Sequence, residues 1–144
     1  MDKVIIYTDG GARGNPGPAS IGVVIEEENT DSTAPRMHKE YSEAIGIATN
    51  NVAEYKAVIF ALKKAKQLLG KKKKEAEIEV RTDSELLYKQ MIGEYKIKNI
   101  DLQPLFIEVW NLKQDFGKVT FTHVRREKNT RADELVNKAQ DLGI

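Results

Sequence analysis

Ile5-Ile6-Tyr7-Thr8-Asp9-Gly10-Gly11-Ala12-Arg13-Gly14-Asn15-Pro16-Gly17-Pro18 is an apolar run that ends in a carboxylate and breaks into glycine and proline. β-Branched residues and an aromatic in so short a run read as a strand buried on both faces. Asp9 then stands at its carboxyl end, where open α/β sheets place their chemistry. The glycines permit conformations closed to other residues and let a ligand come close to the backbone. A strand followed by a plain polar turn is the alternative reading.

Two familiar phosphate loops are excluded. The segment has neither the G-x-G-x-x-G spacing nor a final Lys-Ser or Lys-Thr after glycine, as those loops require. Beyond Pro18 and Ala19, Ser20-Ile21-Gly22-Val23-Val24-Ile25 begins another strand. The loop therefore joins strand to strand and offers no helix N-terminus to a nucleotide, which argues against a mononucleotide cofactor.

Residues 3–9 and about 20–28 form two strands, and Asn29 to Pro35 is a breaker-rich turn. Met37 to Gly46 alternates roughly and gives a third strand, at an edge. Thr49-Asn50-Asn51 precedes a helix that Thr49 or Asn50 can cap. Its inner stripe is Ala53, Ala57, Phe60, Ala61, Ala65 and Leu68. Gly70 closes this helix and Lys71 to Lys74 is a connecting loop. Ala76 to Thr82 is a fourth strand, and Ser84 caps a short helix carrying Leu86, Leu87, Gln90 and Met91. After the connector Gly93 to Asn99, a helix starting at Asn99 or Asp101 has Leu105, Val109 and Leu112 as its inner row. Val119 to Val124 is a fifth strand. A last helix from Asn129 or Thr130 carries Ala132, Leu135, Val136, Ala139 and Leu142. The order β-β-β-α-β-α-α-β-α predicts an α/β fold. Its sheet is mixed and five-stranded, a three-strand antiparallel meander followed by parallel strands, flanked by helices.

With 144 residues the chain reads as one domain, residues 1–144, large enough for a real core. A hydrophobic fraction of 40% and a charged fraction of 31% suit a water-soluble protein. The absence of cysteine excludes disulfides, a thiol nucleophile and a thiolate metal site. With only His38 and His123 present, a histidine-built zinc site is not expected. No apolar run approaches the roughly 20 residues that span a bilayer. The N-terminus enters a strand at once, leaving no room for a leader peptide, and the expected compartment is the cytoplasm. The net charge of +1 hides two basic blocks. One is Lys63, Lys64, Lys66 and Lys71 to Lys74, the other Arg125, Arg126, Lys128 and Arg131; such runs are ordinarily solvated faces.

Four carboxylates have placements that a solvated charge does not need. Asp9 and Asp83 each follow a threonine at a strand end. If those strands are parallel neighbours, about 4.8 Å apart, the two carboxylates can share one ion. Glu54 lies on or beside the buried stripe of the long helix, and Asp133 holds a similar place in the last one. Each has a bland alternative, as a turn former or as an acid favoured by a helix dipole. Together they make a crowd of like charges that needs protons or a dication. Hard oxygen donors without cysteine select Mg²⁺ or Mn²⁺. Two such ions roughly 4 Å apart support in-line phosphoryl displacement by water, which is nuclease chemistry.

In its motifs the chain resembles type 1 ribonuclease H. The matching segments are Tyr7 to Ala19, Thr49-Asn50-Asn51-Val52-Ala53-Glu54, Thr82-Asp83-Ser84 and Asn129-Thr130-Arg131-Ala132-Asp133-Glu134-Leu135. They occur in the family's order and span nearly the whole chain. The resemblance implies a ribonuclease H-like fold. It also implies an endonuclease that cuts the RNA strand of RNA/DNA hybrids with two Mg²⁺ ions, Mn²⁺ being able to substitute. The implied ends are 5′-phosphate and 3′-hydroxyl, with little sequence preference. The implied metal ligands are Asp9, Glu54, Asp83 and Asp133, and the implied substrate-binding residues Gly10, Gly11, Ala12, Asn15, Thr49 and Asn50. Small residues and amides at those places suit a shallow minor groove lined with 2′-hydroxyls, and Asn15 with Thr49 suits a phosphate of the DNA strand.

The chain departs from the family in two ways. Many members carry a catalytic histidine between the last strand and last helix, where this chain has Arg125-Arg126-Glu127-Lys128. Arg126 is expected to take over part of that task by charge; a plain surface arginine, or His123 in its place, are the alternatives. A basic, tryptophan-containing protrusion is also missing, because Gly93 to Asn99 runs almost directly into the next helix. This makes a short form with a weaker grip, for which Lys71 to Lys74 compensate in part. Glu85 stands where relatives often carry a glutamine that touches RNA. A monomer is the default, and duplex RNA is an open second substrate. A module that grips hybrid without cutting is disfavoured, because clustered acids would repel phosphates. An integrase-like or resolvase-like core would lack the Gly-Asn-Pro-Gly and Thr-Asn-Asn segments.

Overall fold

The computed structural model describes residues 3–28 and 37–142; the expected turn at Asn29 to Pro35 lies outside them. Five strands form one sheet: β1 (Lys3–Ala12), β2 (Gly17–Glu28), β3 (His38–Ala48), β4 (Glu77–Thr82) and β5 (Lys118–His123). Their order is β3-β2-β1-β4-β5. β1 with β2 and β2 with β3 are antiparallel; β1 with β4 and β4 with β5 are parallel. The helices are α1 (Asn50–Leu69), α2 (Glu85–Met91), α3 (Gln103–Lys113) and α4 (Thr130–Leu142). The mixed sheet read from the sequence is the one observed, with β3 at an edge.

Alternation along β1 sorts the two faces. Val4 and Ile6 join Val23 and Ile25 of β2 and Ile78 and Val80 of β4 in the main core. Over them pack Val58 and Leu62 of α1, Leu87 of α2, and Val109 and Leu112 of α3. Fully burying each such side chain contributes about 1.5–3 kcal/mol, so this face supplies most of the stability. Within it, the Tyr55 hydroxyl donates to Gln90 Oε1 at 2.6 Å, satisfying two buried polar groups. The opposite face of β2 and its neighbours carries α4, which buries Ala132, Leu135, Val136 and Ala139.

Two glycines decide how closely the helices approach the sheet. A Cβ on Gly10 would lie 2.4 Å from the backbone carbon and oxygen of Ala53, so only glycine lets α1 sit where it does. A Cβ on Gly22 would lie 2.1 Å from the Ala132 carbonyl oxygen of α4. Further ties seat α4: the Ser20 hydroxyl donates to the Val136 carbonyl at 2.7 Å, and the Ser42 hydroxyl to that of Leu135.

Several boundaries differ from the sequence reading. The glycine-rich segment is mostly strand, since Gly10, Gly11 and Ala12 pair with Ile21, Ser20 and Ala19. Only Arg13 to Pro16 turns, closed by Arg13 N–H to the Pro18 carbonyl at 2.9 Å. Glycine fits strand geometry when its neighbours fix the ladder, and here the hairpin register does so. Lys71 to Lys74 belong to a 3-10 turn, Gly70–Glu75, not to an irregular loop. Leu68 and Leu142, assigned to inner stripes, are 37% and 61% exposed, each at the last turn of its helix where the sheet no longer covers it. Conversely, α1 buries a wider face than its alanine stripe, adding Tyr55, Val58, Ile59 and Leu62.

Candidate active site

The register between β1 and β4 ends with Thr8 paired to Thr82. Asp9 and Asp83 are therefore the first residues past the parallel ladder, side by side at its carboxyl end. Each follows a threonine of the ladder: Asp83 comes directly after β4, while β1 continues past Asp9 to Ala12, pairing there only with β2. The two threonines are buried, and Thr82 Oγ1 accepts from the Ser84 N–H at 3.1 Å. Ser84 in turn caps α2, its hydroxyl accepting from Leu87 N–H at 3.2 Å.

Glu54 reaches the same point from the first turns of α1. The start of that helix is fixed by Thr49, whose hydroxyl accepts from Val52 N–H, and by the close approach at Gly10. The Gly10 N–H then donates to Glu54 Oε1 at 2.6 Å and to Asp9 Oδ1 at 3.0 Å. One backbone donor thus aligns two carboxylates contributed by residues 45 positions apart.

Asp9, Glu54 and Asp83 each offer an oxygen within 4.8 Å of the others. Asp9 and Glu54 are buried, each only 8% exposed. Asp133, at the start of α4, lines the same cavity of about 380 Å³, as do Arg126, Asn137 and Gln140. Burial, reinforced by the charges of Asp83 and Asp133, pushes the Asp9 carboxyl up to about 7. Burial, then the charges of Asp9 and Asp83, raises Glu54 well above its ordinary range. Among the described residues no lysine, arginine or histidine forms a salt bridge with any of the four acids. A set of hard oxygen donors, two buried and two partly buried, with no cation paired to it among the described residues, is the environment that a divalent cation of the Mg²⁺ type completes. The residues fit that group.

The residues expected from the sequence to bind substrate are tied to one another by hydrogen bonds. The Ala12 N–H donates to Asn50 Oδ1 at 2.8 Å, and the Asn50 N–H donates to Asn15 Oδ1 at 3.0 Å. Gly10, Gly11, Ala12 and Asn50 line the cavity beside the acids. Asn15 and Thr49 stay outside the lining, and Thr49 spends its oxygen on the helix cap.

Comparison with solved structures decides the lineage. A crystal structure of LC11-RNase H1 in complex with an RNA/DNA hybrid superposes with a TM-score of 0.86 at 50% identity, over 98% of this chain and 99% of that one. A family model described as reverse transcriptase-like matches residues 7–139. The chain belongs to the type 1 ribonuclease H family. Ribonuclease HI of Halobacterium salinarum is 39% identical over 139 residues, 96% of this chain and 65% of that protein. Its solved structure gives a TM-score of 0.84. A bifunctional protein of Mycobacterium tuberculosis is 40% identical over 96% of this chain but only 36% of its own length. The chain thus spans about a third of the curated relatives it matches first. Ribonucleases H are metal-dependent, and the acidic cluster is the candidate metal centre of this member.

The remaining sequence expectations divide. Arg126 lines the cavity, at the start of a 3-10 turn, Arg126–Lys128. His123 does not: it ends β5, exposed, and stacks on Tyr88 with ring centroids 5.7 Å apart. Glu85 is exposed in the first turn of α2, outside the lining. Lys71 to Lys74 follow the far end of α1, 15 or more residues beyond Glu54, hence more than about 20 Å along the helix. They stand apart from the cavity that holds the acids. Sequence reading quoted Asn129 in the last matching segment and as a possible helix start but gave it no role in the site, and it missed Gln140. The Gln140 amide donates to the Gly11 and Pro18 carbonyls at 3.2 and 2.8 Å, strapping the β1-β2 hairpin to α4. Neither residue carries charge or periodicity that would single it out.

Proposed function

We propose that this ribonuclease H hydrolyses the RNA strand of RNA/DNA hybrids, holding Mg²⁺ at Asp9, Glu54, Asp83 and Asp133. The observation that carries the reading is the convergence of the Asp9, Glu54 and Asp83 oxygens, with Asp133 beside them, in a cavity edged by amides. Two ions held there would supply an activated water and neutralise charge on the scissile phosphate and leaving oxygen. The products expected are 5′-phosphate and 3′-hydroxyl ends.

The protein's own contributions are positional. Gly10 fixes Asp9 and Glu54 through one N–H, so the donor set is oriented before any ligand arrives. Asn50 commits its carbonyl to Ala12, which leaves its NH₂ free to donate to a phosphate or a 2′-hydroxyl. Shape-dependent contacts of this kind distinguish RNA-containing duplexes without reading sequence. Arg126, on the wall of the same cavity, adds a fixed positive charge for the phosphate to meet beside the acids.

The test is cleavage of end-labelled RNA/DNA, RNA/RNA and DNA/DNA duplexes with Mg²⁺, Mn²⁺ or chelator. Hybrid should be cut only with metal, DNA/DNA left intact, and Asp9→Asn or Asp83→Asn should abolish cutting while preserving the fold. Robust cutting by either variant would overturn the assignment. Cutting of RNA/RNA would widen the substrate range and leave the mechanism standing.

A further inference from the structure

Asn129 is 1% exposed at the junction of β1, β4 and α4. An asparagine just before a helix ordinarily turns its side-chain oxygen back onto the first free N–H groups. Here it does not. Its backbone carbonyl accepts from Asp133 N–H at 3.2 Å, while the side chain points the other way. The Nδ2 group donates to the Thr8 carbonyl at 2.8 Å and to Asp83 Oδ2 at 3.3 Å. Its Oδ1 is buried with no hydrogen-bond partner among the described residues. A buried amide that forgoes the helix cap and leaves its oxygen unpaired is held for what its NH₂ does.

We propose that Asn129 is a positioning residue for the metal centre, its amide fixing Asp83 against Asp9. It touches the residue before Asp9, the carboxylate of Asp83, and the backbone N–H of Asp133. Three of the four acids are therefore registered through one residue. The chemistry of an amide suits that place. It supplies two donors without charge, whereas a lysine or arginine would compete with a dication for Asp83 and a carboxylate would add repulsion. Holding one oxygen of Asp83 leaves the other directed by the constraint, in the manner of the outer hydrogen bonds that orient metal ligands.

The inference rests on reading the acids as a Mg²⁺ site. Three variants test it: Asn129→Ala, Asn129→Asp, and Asn129→Ala combined with Asp83→Asn. Mg²⁺ is titrated calorimetrically without substrate, hybrid cleavage is measured at saturating Mg²⁺, and unfolding midpoints are recorded alongside. Asn129→Ala and Asn129→Asp should lose about 10- to 100-fold in Mg²⁺ affinity or kcat, with KM for hybrid held within about threefold. In the Asp83→Asn background, removing Asn129 should cost no further Mg²⁺ affinity, because its partner is already gone. A folded Asn129→Ala with parental affinity and kcat overturns the proposal, and so do losses that simply add in the double variant. Should Asn129→Ala fail to fold, Asn129→Asp carries the test, since it keeps the volume and removes the donors. A parent protein that binds no Mg²⁺ would sink the metal site itself; a parent that binds it, unaffected by Asn129, sinks only this role.

Discussion

The Gly10 N–H donates to Glu54 Oε1 at 2.6 Å, and a Cβ on Gly10 would stand 2.4 Å from the Ala53 carbonyl carbon and oxygen. The same residue therefore admits α1 and aligns a carboxylate that α1 carries. Gly10→Ala must push the helix backbone away, which should cost about 1–3 kcal/mol of stability and misplace Glu54. Gly11 is a control within the same motif: its added Cβ would meet only Val136 Cγ1, at 3.6 Å. We expect the Gly11→Ala urea midpoint to stay close to the parent's, and the folded fraction of Gly10→Ala to lose most of its activity. Equal behaviour of the two variants would remove the packing argument.

That contrast shows what the sequence could and could not reveal. Asp9 and Asp83 were legible because each follows a threonine at the end of a strand-like run, although β1 in fact continues to Ala12, and the parallel pairing of those strands follows from the order of elements. Glu54 and Asp133 were legible as acids on apolar helix faces. Gly10 and Gly11 look alike in sequence, and nothing local says that one meets a helix and the other a side chain. The extent of β1 was also hidden: glycine is a weak strand former, and the ladder to Ser20 and Ile21 overrides that tendency. Asn129 stood in a matching segment, but its role stayed hidden because its partners, Thr8 and Asp83, lie more than 40 residues away in the chain.

The buried acids make stability depend on pH in a definite direction. Burial and the charges of Asp83 and Asp133 raise Asp9 from 3.8 to about 7, so the fold favours its neutral form. That contribution is complete below about pH 4 and is lost as pH rises through 7. Glu54 shifts in the same sense. Without metal, the unfolding midpoint of the parent relative to Asp9→Asn should therefore fall between pH 5 and pH 8. At pH 8 the variant should be the more stable by several degrees, each 1 kcal/mol being worth roughly 2–4 °C at this size. Added Mg²⁺ should raise the parent's midpoint more at pH 8 than at pH 5, where protons compete for the ligands. Scanning calorimetry with chelator or Mg²⁺ at both pH values checks this, and a parent-to-variant difference independent of pH would contradict it.

Of the two residues the sequence offered for a further role beside the acids, Arg126 and His123, only Arg126 lines the cavity. His123 lies against Tyr88 instead. Arg126→Ala should lower kcat about 10- to 100-fold, the scale of one electrostatic stabiliser. Arg126→Lys should recover part of the loss, since charge rather than proton transfer is the role assigned. His123→Ala should leave kcat within about twofold of the parent, as a surface substitution away from the chemistry does. Steady-state kinetics on one hybrid substrate compare all three, and a larger loss in His123→Ala than in Arg126→Ala would reverse the assignment.

Asn50 shows how a side chain can be oriented by the bonds it already makes. Its Oδ1 accepts from a backbone N–H, that of Ala12, so the carbonyl end is fixed and the NH₂ end must face away from the hairpin. Asn15 is fixed likewise by the Asn50 N–H. Both amides then offer donors, and a nucleic-acid backbone offers acceptors. Asn50→Asp keeps the oxygen that accepts from Ala12, so the local fold should survive with little change in unfolding midpoint. It replaces the donors by a second oxygen and a negative charge facing phosphates. We expect KM for hybrid to rise about tenfold, corresponding to roughly 1.4 kcal/mol, with kcat nearly unchanged because the acids are untouched. Raising the salt concentration should narrow the gap between variant and parent, since the added term is charge repulsion. A variant that lost kcat while keeping KM would move Asn50 from gripping the substrate to arranging the metal ligands.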